Sequence, residues 1–477
     1  MSVKRLKENF SADSTRVILQ TFALNDDRAL RVINRVLALS DKNITETLEK
    51  IFLEFKDRHR NIQEKFLEKY NSYSHLIDKN ETLAEEKKLL IGAYLSKEYS
   101  IEAAALFNPS IVPHPDQSGI EEGELKFIMS LRATGEGHIS SVEFREGIIS
   151  KSNEINMIPA TKYVSAGKRI DKKFSKDLLL KKCINQNCLA ENVLDNFKEE
   201  FKIKEYDEYL EDNSKIVLRD VKTTKCIEFL DDYIDSNYEV IFGNDLPISE
   251  RVLFPSSKYE SMGMEDVRFV KFVHEDQSIK YYGTYTAYNG KTFRTQLIET
   301  NDFNRFQVGT MTGEAVYDKG LALFPRKING KYFMMSRQDG ENIYLMSSND
   351  LYHWDEYIKI MEPKESWEFI QLGNCGSPIE TEKGWLVITH AVGPLRKYVI
   401  SAILLDLENP SNIIGRLKTP LLSPEENERE GYVPNVVYSC GSLIHNKELI
   451  IPYAKSDAAS GFAKIDLNVL LNKLIKV

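Results

Sequence analysis

Residues 332–354 read YFMMSRQDGENIYLMSSNDLYHW. A short apolar run, a polar turn with Gly340, and a second apolar run predict an antiparallel hairpin, since apolar runs bounded by turn residues read as strands. The same layout recurs elsewhere. It appears as FIMSLRATGEGHISSVEF from Phe127, YYGTYTAYNGKTFRTQLI from Tyr281, WLVITHAVGPLRKYVISAILLDL from Trp385 and ELIIPYAKSDAASGFAKIDL from Glu448. The last three copies start at 332, 385 and 448, spaced as four-stranded repeat units are. Five such units predict a mainly β chain folded as a five-bladed β-propeller over residues 108–477.

The repeat also aligns side chains. The sixth residue of each unit is Arg132, Thr286, Arg337, His390 or Tyr453. If the inner strands line a channel, these equivalent positions face one mouth, gathering cations and an imidazole around a common axis.

Residues 1–107 carry another texture. No proline precedes Pro109, and DDRALRVINRVLALSDKN places Leu30, Ile33, Val36 and Leu37 at helical spacing. Asp26 and Asp27 stand where an N-cap is expected. The stretch predicts a helical N-terminal region, with two readings open: a cap packed on the β domain, or a surface for self-association into a homo-oligomer. Between the first two hairpins, KFSKDLLLKK and the residues after it predict a helical insertion at about 176–215.

Composition removes several classes. The 477 residues carry 63 Lys and Arg against 72 Asp and Glu, a formal charge of −9. That balance argues against nucleic-acid binding, which rests on neutralising phosphates. No run reaches the ~18 apolar residues that a membrane span needs, and MSVKRLKENFSADS has no apolar stretch behind its charged start, so a cytoplasmic protein is expected. The five cysteines are irregularly spaced, with Cys183 and Cys188 four residues apart in the intervening count, and predict free thiols. No His or Cys pattern points to a metal.

The densest chemistry is Gly263-Met264-Glu265-Asp266-Val267-Arg268. In a regular strand, adjacent residues face opposite sides, so Glu265 and Asp266 share a cavity only if the segment leaves strand geometry. A second cationic group, Lys319, Arg326 and Lys331, lies in DKGLALFPRKINGKY; Lys319 is favoured for a pocket, and Lys331 sits at an Asn-Gly turn facing solvent. His353, Trp354 and Trp385 read as structural.

Taken in order, GMEDVRF, KGLALFPRKINGKY, Ser348-x-Asp350-x-x-x-Trp354, GSPIETEKGWLVITHAV, EREGYVPNVVYSCG and IPYAKSD resemble glycoside hydrolase family 130, the β-mannoside phosphorylases and related β-mannosidases. The resemblance implies a five-bladed β-propeller. It also implies an inverting phosphorylase that cleaves a β-mannoside with inorganic phosphate as co-substrate and needs no cofactor. It makes Asp266 the proton donor, acting through a sugar hydroxyl. It makes Arg337, His390 and Lys319 the phosphate ligands. Asp457, after Tyr453, would hold the mannosyl ring; Arg132, Ser141 and Arg145 would be first-unit substrate contacts, with Glu265 and Arg268 beside the acid. Two alternatives remain open at this level: a β-mannosidase on the same fold, and a sugar-binding protein without catalysis.

Overall fold

The computed structural model describes residues 3–77, 82–170, 172–185, 191–217 and 221–474. The chain is mainly β, as expected, and all five predicted hairpins form. Sheet I holds Ala105–Pro113, Leu125–Thr134 and Ser140–Ile149. Sheet II holds Gly263–Val273, Ile279–Tyr288, Phe293–Thr300 and Arg305–Thr310. A single parallel pairing of Gly263 with Ser140 runs the two together into one twelve-stranded sheet. Sheet III runs from Ala322–Leu323 through Tyr332–Ser336 and Ile343–Ser348 to Glu356–Met361. Sheet IV runs from Gln371–Asn374 through Gly384–Gly393 and Lys397–Leu405 to Ile413–Arg416. Sheet V comprises Val437–Tyr438, Glu448–Lys455 and Ala459–Asp466, and the N-terminal strand Lys4–Ser11 adds its outer edge.

Hydrogen bonds tie each sheet to the next and the last to the first. Phe269 N donates to Ser110 Oγ at 3.1 Å, between II and I. Val273 N donates to Pro325 O, Leu372 N to Glu341 O, and Tyr398 N to Asn435 O, at 2.9, 2.8 and 3.0 Å. Cys440 N donates to Pro109 O at 2.8 Å, joining V to I. Apolar faces fill the gaps between sheets: Phe144, Phe269, Phe303 and Phe306 cluster at I and II, and Trp385 packs edge-on against Phe324 at III and IV. Trp354 and Trp385 are fully buried and donate their indole N–H groups to Leu351 O and Leu407 O, which makes them core residues.

The N-terminal region departs from the helical expectation. Helices Asp26–Leu37, Asp41–Phe55, Ile62–Ser72 and Glu85–Tyr94 are present. Lys4–Ser11, Val17–Thr21 and Ser96–Ser100, however, are strands, the first with alternating burial. That period of two was missed because polar residues occupy most of it. The N-cap is Asn25, whose side chain accepts from Arg28 N; Asp26 and Asp27 fall in the first turn, where carboxylates favour the helix dipole. The insertion is longer than expected. Helices Lys176–Asn185, Ile203–Val217 and Val221–Ser236 enclose a separate apolar core that includes Leu179, Phe201, Tyr206 and Leu230.

The thiol expectation holds for Cys183, Cys375 and Cys440, which are free and buried, but Cys226 is disulfide-bonded. Cys188 lies outside the described residues. Among the described residues no helix is long and apolar enough to cross a membrane.

Candidate active site

A cavity of about 320 Å³ opens where the inner strands of the five sheets converge. Its wall carries Arg132 from sheet I, Glu265, Asp266 and Arg268 from II, and Lys319 with Arg337 from III. His390 and Arg396 come from IV and Asp457 from V. Five cationic side chains thus face three carboxylates.

Glu265 and Asp266 do share this cavity, for the reason the sequence left conditional. The strand Gly263–Val273 loses register between Glu265 and Arg268, and Asp266 has φ of 56°. A bulge of this kind re-aims one side chain without ending the strand. Gly263, at φ 134°, lets the strand start hard against sheet I; a Cβ there would lie 2.6 Å from Ser140 N. A matching irregularity in Ala105–Pro113, between Phe107 and Ser110, turns Asn108 (φ 50°) toward the acid.

The polar contacts divide the cavity. Asp266 Oδ1 accepts from Asn108 Nδ2 at 2.7 Å and from Arg132 Nη1 at 3.4 Å. Glu265 takes Arg132 Nη2 at 2.8 Å on one oxygen and Lys319 Nζ at 2.9 Å on the other. Arg268 donates to Tyr438 OH at 2.6 Å. Arg337 is held through Nε by Asp318 at 3.1 Å, and Asp318 is not among the lining residues. His390 stacks on Tyr398 and meets Tyr438 edge-on. Gly373 makes room for it: a Cβ would lie 2.3 Å from the His390 ring.

The titrations follow from this layout. Burial raises the Asp266 pKa, but Arg132, Arg268 and the Asn108 bond outweigh it and hold the carboxyl below its usual range. Asp457 is pushed up to about 6 by burial and by the Asp266 charge, against the pull of Arg132 and Arg396. Burial, with the charges of Arg337 and Arg268, drives His390 well below its usual value, so its imidazole is neutral at pH 7.

The family model described as beta-1,4-mannooligosaccharide phosphorylase matches residues 238–476. The chain belongs to glycoside hydrolase family 130. Among its curated family 130 relatives, a 1,2-beta-oligomannan phosphorylase of Thermoanaerobacter sp. (strain X514) is 35% identical over 230 residues, covering 47% of this chain and 75% of the relative. A beta-1,2-mannobiose phosphorylase of the same organism is 34% identical over 265 residues, covering 54% of this chain and 84% of the relative. The solved beta-1,2-mannobiose phosphorylase of Listeria innocua, in complex with beta-1,2-mannobiose, aligns with TM-score 0.47 and 19% identity, over 79% of this chain and 93% of that one. Asn108 and Arg132 reach the cavity from outside the segment that the family 130 model matches.

Three residues expected to bind substrate, Ser141 and Arg145 from the resemblance and Tyr453 from the repeat, are not in the cavity wall. Ser141 pairs with Ala133 and Arg145 with Met129, so both lie on the face of sheet I opposite Arg132. There Arg145 joins a closed cluster with Glu102, Glu143 and Arg16, at 2.7 and 2.9 Å from the two carboxylates. Tyr453 is buried and donates to Glu428 Oε1 at 2.6 Å. Thr286, the remaining equivalent repeat position, is buried outside the wall. Arg326 and Lys331 form surface ion pairs with Glu380 and Glu356. Asn108, Gln371, Asn374, Arg396, Tyr398 and Tyr438 line the cavity and were not anticipated. None was signalled by the sequence: Asn108 alone is of a type that tolerates positive φ, and it lies inside the strand Ala105–Pro113 and before Pro109, where extended backbone is favoured.

Proposed function

We propose that this family 130 enzyme is an inverting glycoside phosphorylase. It cleaves a β-mannoside or mannosyl-oligosaccharide with inorganic phosphate to give α-mannose 1-phosphate, and its five sheets are the blades of a β-propeller. The observation that carries the reaction is the excess of cations over carboxylates in one small cavity, with Arg337, Lys319 and neutral His390 among its lining residues. A dianion fits that field, and guanidinium groups bind phosphate oxygens in forked, charge-assisted pairs. The cyclic run of hydrogen bonds from sheet to sheet supports the propeller reading.

In this reading phosphate attacks C1 of the mannosyl ring. The bond from C1 to the leaving sugar breaks as the bond to phosphate oxygen forms, and the leaving oxygen takes a proton from Asp266, relayed by a ring hydroxyl. The Asp266 pKa is low because cations surround the carboxyl. A phosphate dianion neutralises that field and raises the Asp266 pKa, so binding of the nucleophile arms the acid. Asp457 accepts hydrogen bonds from hydroxyl groups of the same ring. No base is needed, because phosphate is already a nucleophile. A sugar phosphate is of use where it is retained, which fits a cytoplasmic enzyme.

One observation favours a second reading, a β-mannosidase. An inverting hydrolase needs a carboxylate base for water, and Asp457, pushed up to about 6, is suited to that task. Glu265 is not, being committed to Arg132 and Lys319. The reverse reaction separates the two. The phosphorylase makes a β-mannoside and free phosphate from α-mannose 1-phosphate and mannose; the hydrolase makes neither.

A further inference from the structure

We infer that Arg5, in the N-terminal strand, is a positioning residue for Asp457, reaching it through Glu428 and Ser456. The inference rests on the reading of Asp457 as the carboxylate that holds the mannosyl ring.

Asp457 and Ser456 are consecutive residues in the left-handed region, at φ 51° and 47°. Neither is glycine, so the turn persists only because its surroundings hold it there. Ser456 is fully buried and held on several sides. Its N–H donates to Val436 O at 2.7 Å, its carbonyl accepts from Val433 N at 3.0 Å, and its hydroxyl donates to the Glu428 carbonyl at 2.7 Å. Gly431 presses on the same spot, where a Cβ would lie 2.5 Å from Ser456 O. The Asp457 turn is therefore as well placed as the loop around Glu428.

That loop is fixed by Arg5. Its Nε donates to Glu428 Oε1 at 3.1 Å, and Nη2 donates to Glu428 Oε2 at 2.9 Å and to Ser423 O at 2.6 Å. Nη1 pairs with Glu425 at 2.7 Å. Tyr453 donates to the same Glu428 carboxylate from the core side. Arg5 stands where the pairing of Lys4–Ser11 with Ala459–Asp466 slips register, between Arg5 and Asn9. One side chain, from far outside the segment that carries the family match, thus clamps a turn whose carbonyl anchors the residue before Asp457.

The test reads mannosyl binding without phosphate and with Asp266→Asn in every protein, so that neither phosphate nor water turns the ligand over. Titration calorimetry with β-1,2-mannobiose and β-1,4-mannobiose compares this parent with its Arg5→Ala and Arg5→Lys forms, each also in an Asp457→Asn background. We expect Arg5→Ala to weaken binding at least fivefold in the parent and less than twofold beside Asp457→Asn, with Arg5→Lys in between. With Asp266 intact, the KM for phosphate in turnover should stay within twofold. Hydrogen exchange should quicken at 423–436 and 455–458 and not elsewhere. If Arg5→Ala unfolds the chain, Tyr453→Phe, which removes the other donor to Glu428, should weaken binding in the same direction with the same dependence on Asp457. Binding within twofold of the parent in folded variants, or an equal loss with and without Asp457, overturns the inference.

Discussion

Two clusters of arginine and carboxylate lie on opposite faces of sheet I. In one, Arg16 and Arg145 meet Glu102 and Glu143 in matched number, all nearly inaccessible. In the other, Arg132, Arg268, Lys319, Arg337 and Arg396 outnumber Glu265, Asp266 and Asp457 around open space. Both combine cations with carboxylates. The first cluster uses its donors internally and joins the N-terminal segment to sheet I, since Arg16 also donates to Ser249 O at 2.6 Å. The second leaves donors free and has a bulged, positive-φ backbone at Asn108 and Asp266. Strain and unmatched charge together mark a site; matched burial marks a joint.

The sharpest way to break this distinction is Asp266→Asn. The change is nearly isosteric and removes the acid, so turnover should fall by about 10²–10⁴-fold. More than about a tenth of activity in a folded variant would contradict the assignment. Arg145→Ala should do the converse. The change leaves two buried carboxylates to Arg16 alone; breaking a buried pair costs about 3–5 kcal/mol, read as a lower denaturation midpoint, while KM values for sugar and phosphate stay put. A selective rise in the sugar KM would return Arg145 to the site.

Arg337→Ala should raise the phosphate KM about 10–100-fold and leave the glycoside KM little changed, as hydrogen bonds to charged groups contribute about 1.5–3 kcal/mol. His390→Ala should shift the same constant less, because the imidazole is neutral. The smallest effect is a pH effect. Asp457 is raised to about 6, so it is protonated below that pH and an acceptor above it. The glycoside KM should therefore fall as pH rises through about 6, and Asp457→Asn should flatten that dependence while raising the KM. Loss of turnover without a change in KM would instead favour a base role for Asp457.

The comparison also shows what was legible in the sequence. Arg132, Arg337 and His390 could be read because a repeat places equivalent positions on one axis, and three of its five members line the cavity. The joint use of Glu265 and Asp266 could not, since it depends on a bulge that a strand pattern does not encode. Ser141 and Arg145 were misplaced for a related reason: motif likeness carries no parity, and in a strand a single step reverses the face. Tyr453 holds the repeat position but faces Glu428, because its neighbours close over it. Arg396 and Tyr438 arrive on loops and short strands with no periodic signal. The N-terminal strand Lys4–Ser11 was hidden by its polar composition, and its role comes only from pairing with Ala459–Asp466, near the other end of the chain.

The central claim, that the cationic cavity serves phosphate as nucleophile, is tested most directly by product identity. The purified chain is incubated with β-1,2- and β-1,4-mannobiose, with and without phosphate, and the released sugar is identified by NMR. The account predicts α-mannose 1-phosphate in the presence of phosphate and negligible cleavage without it. Free mannose released at equal rates under both conditions would contradict it.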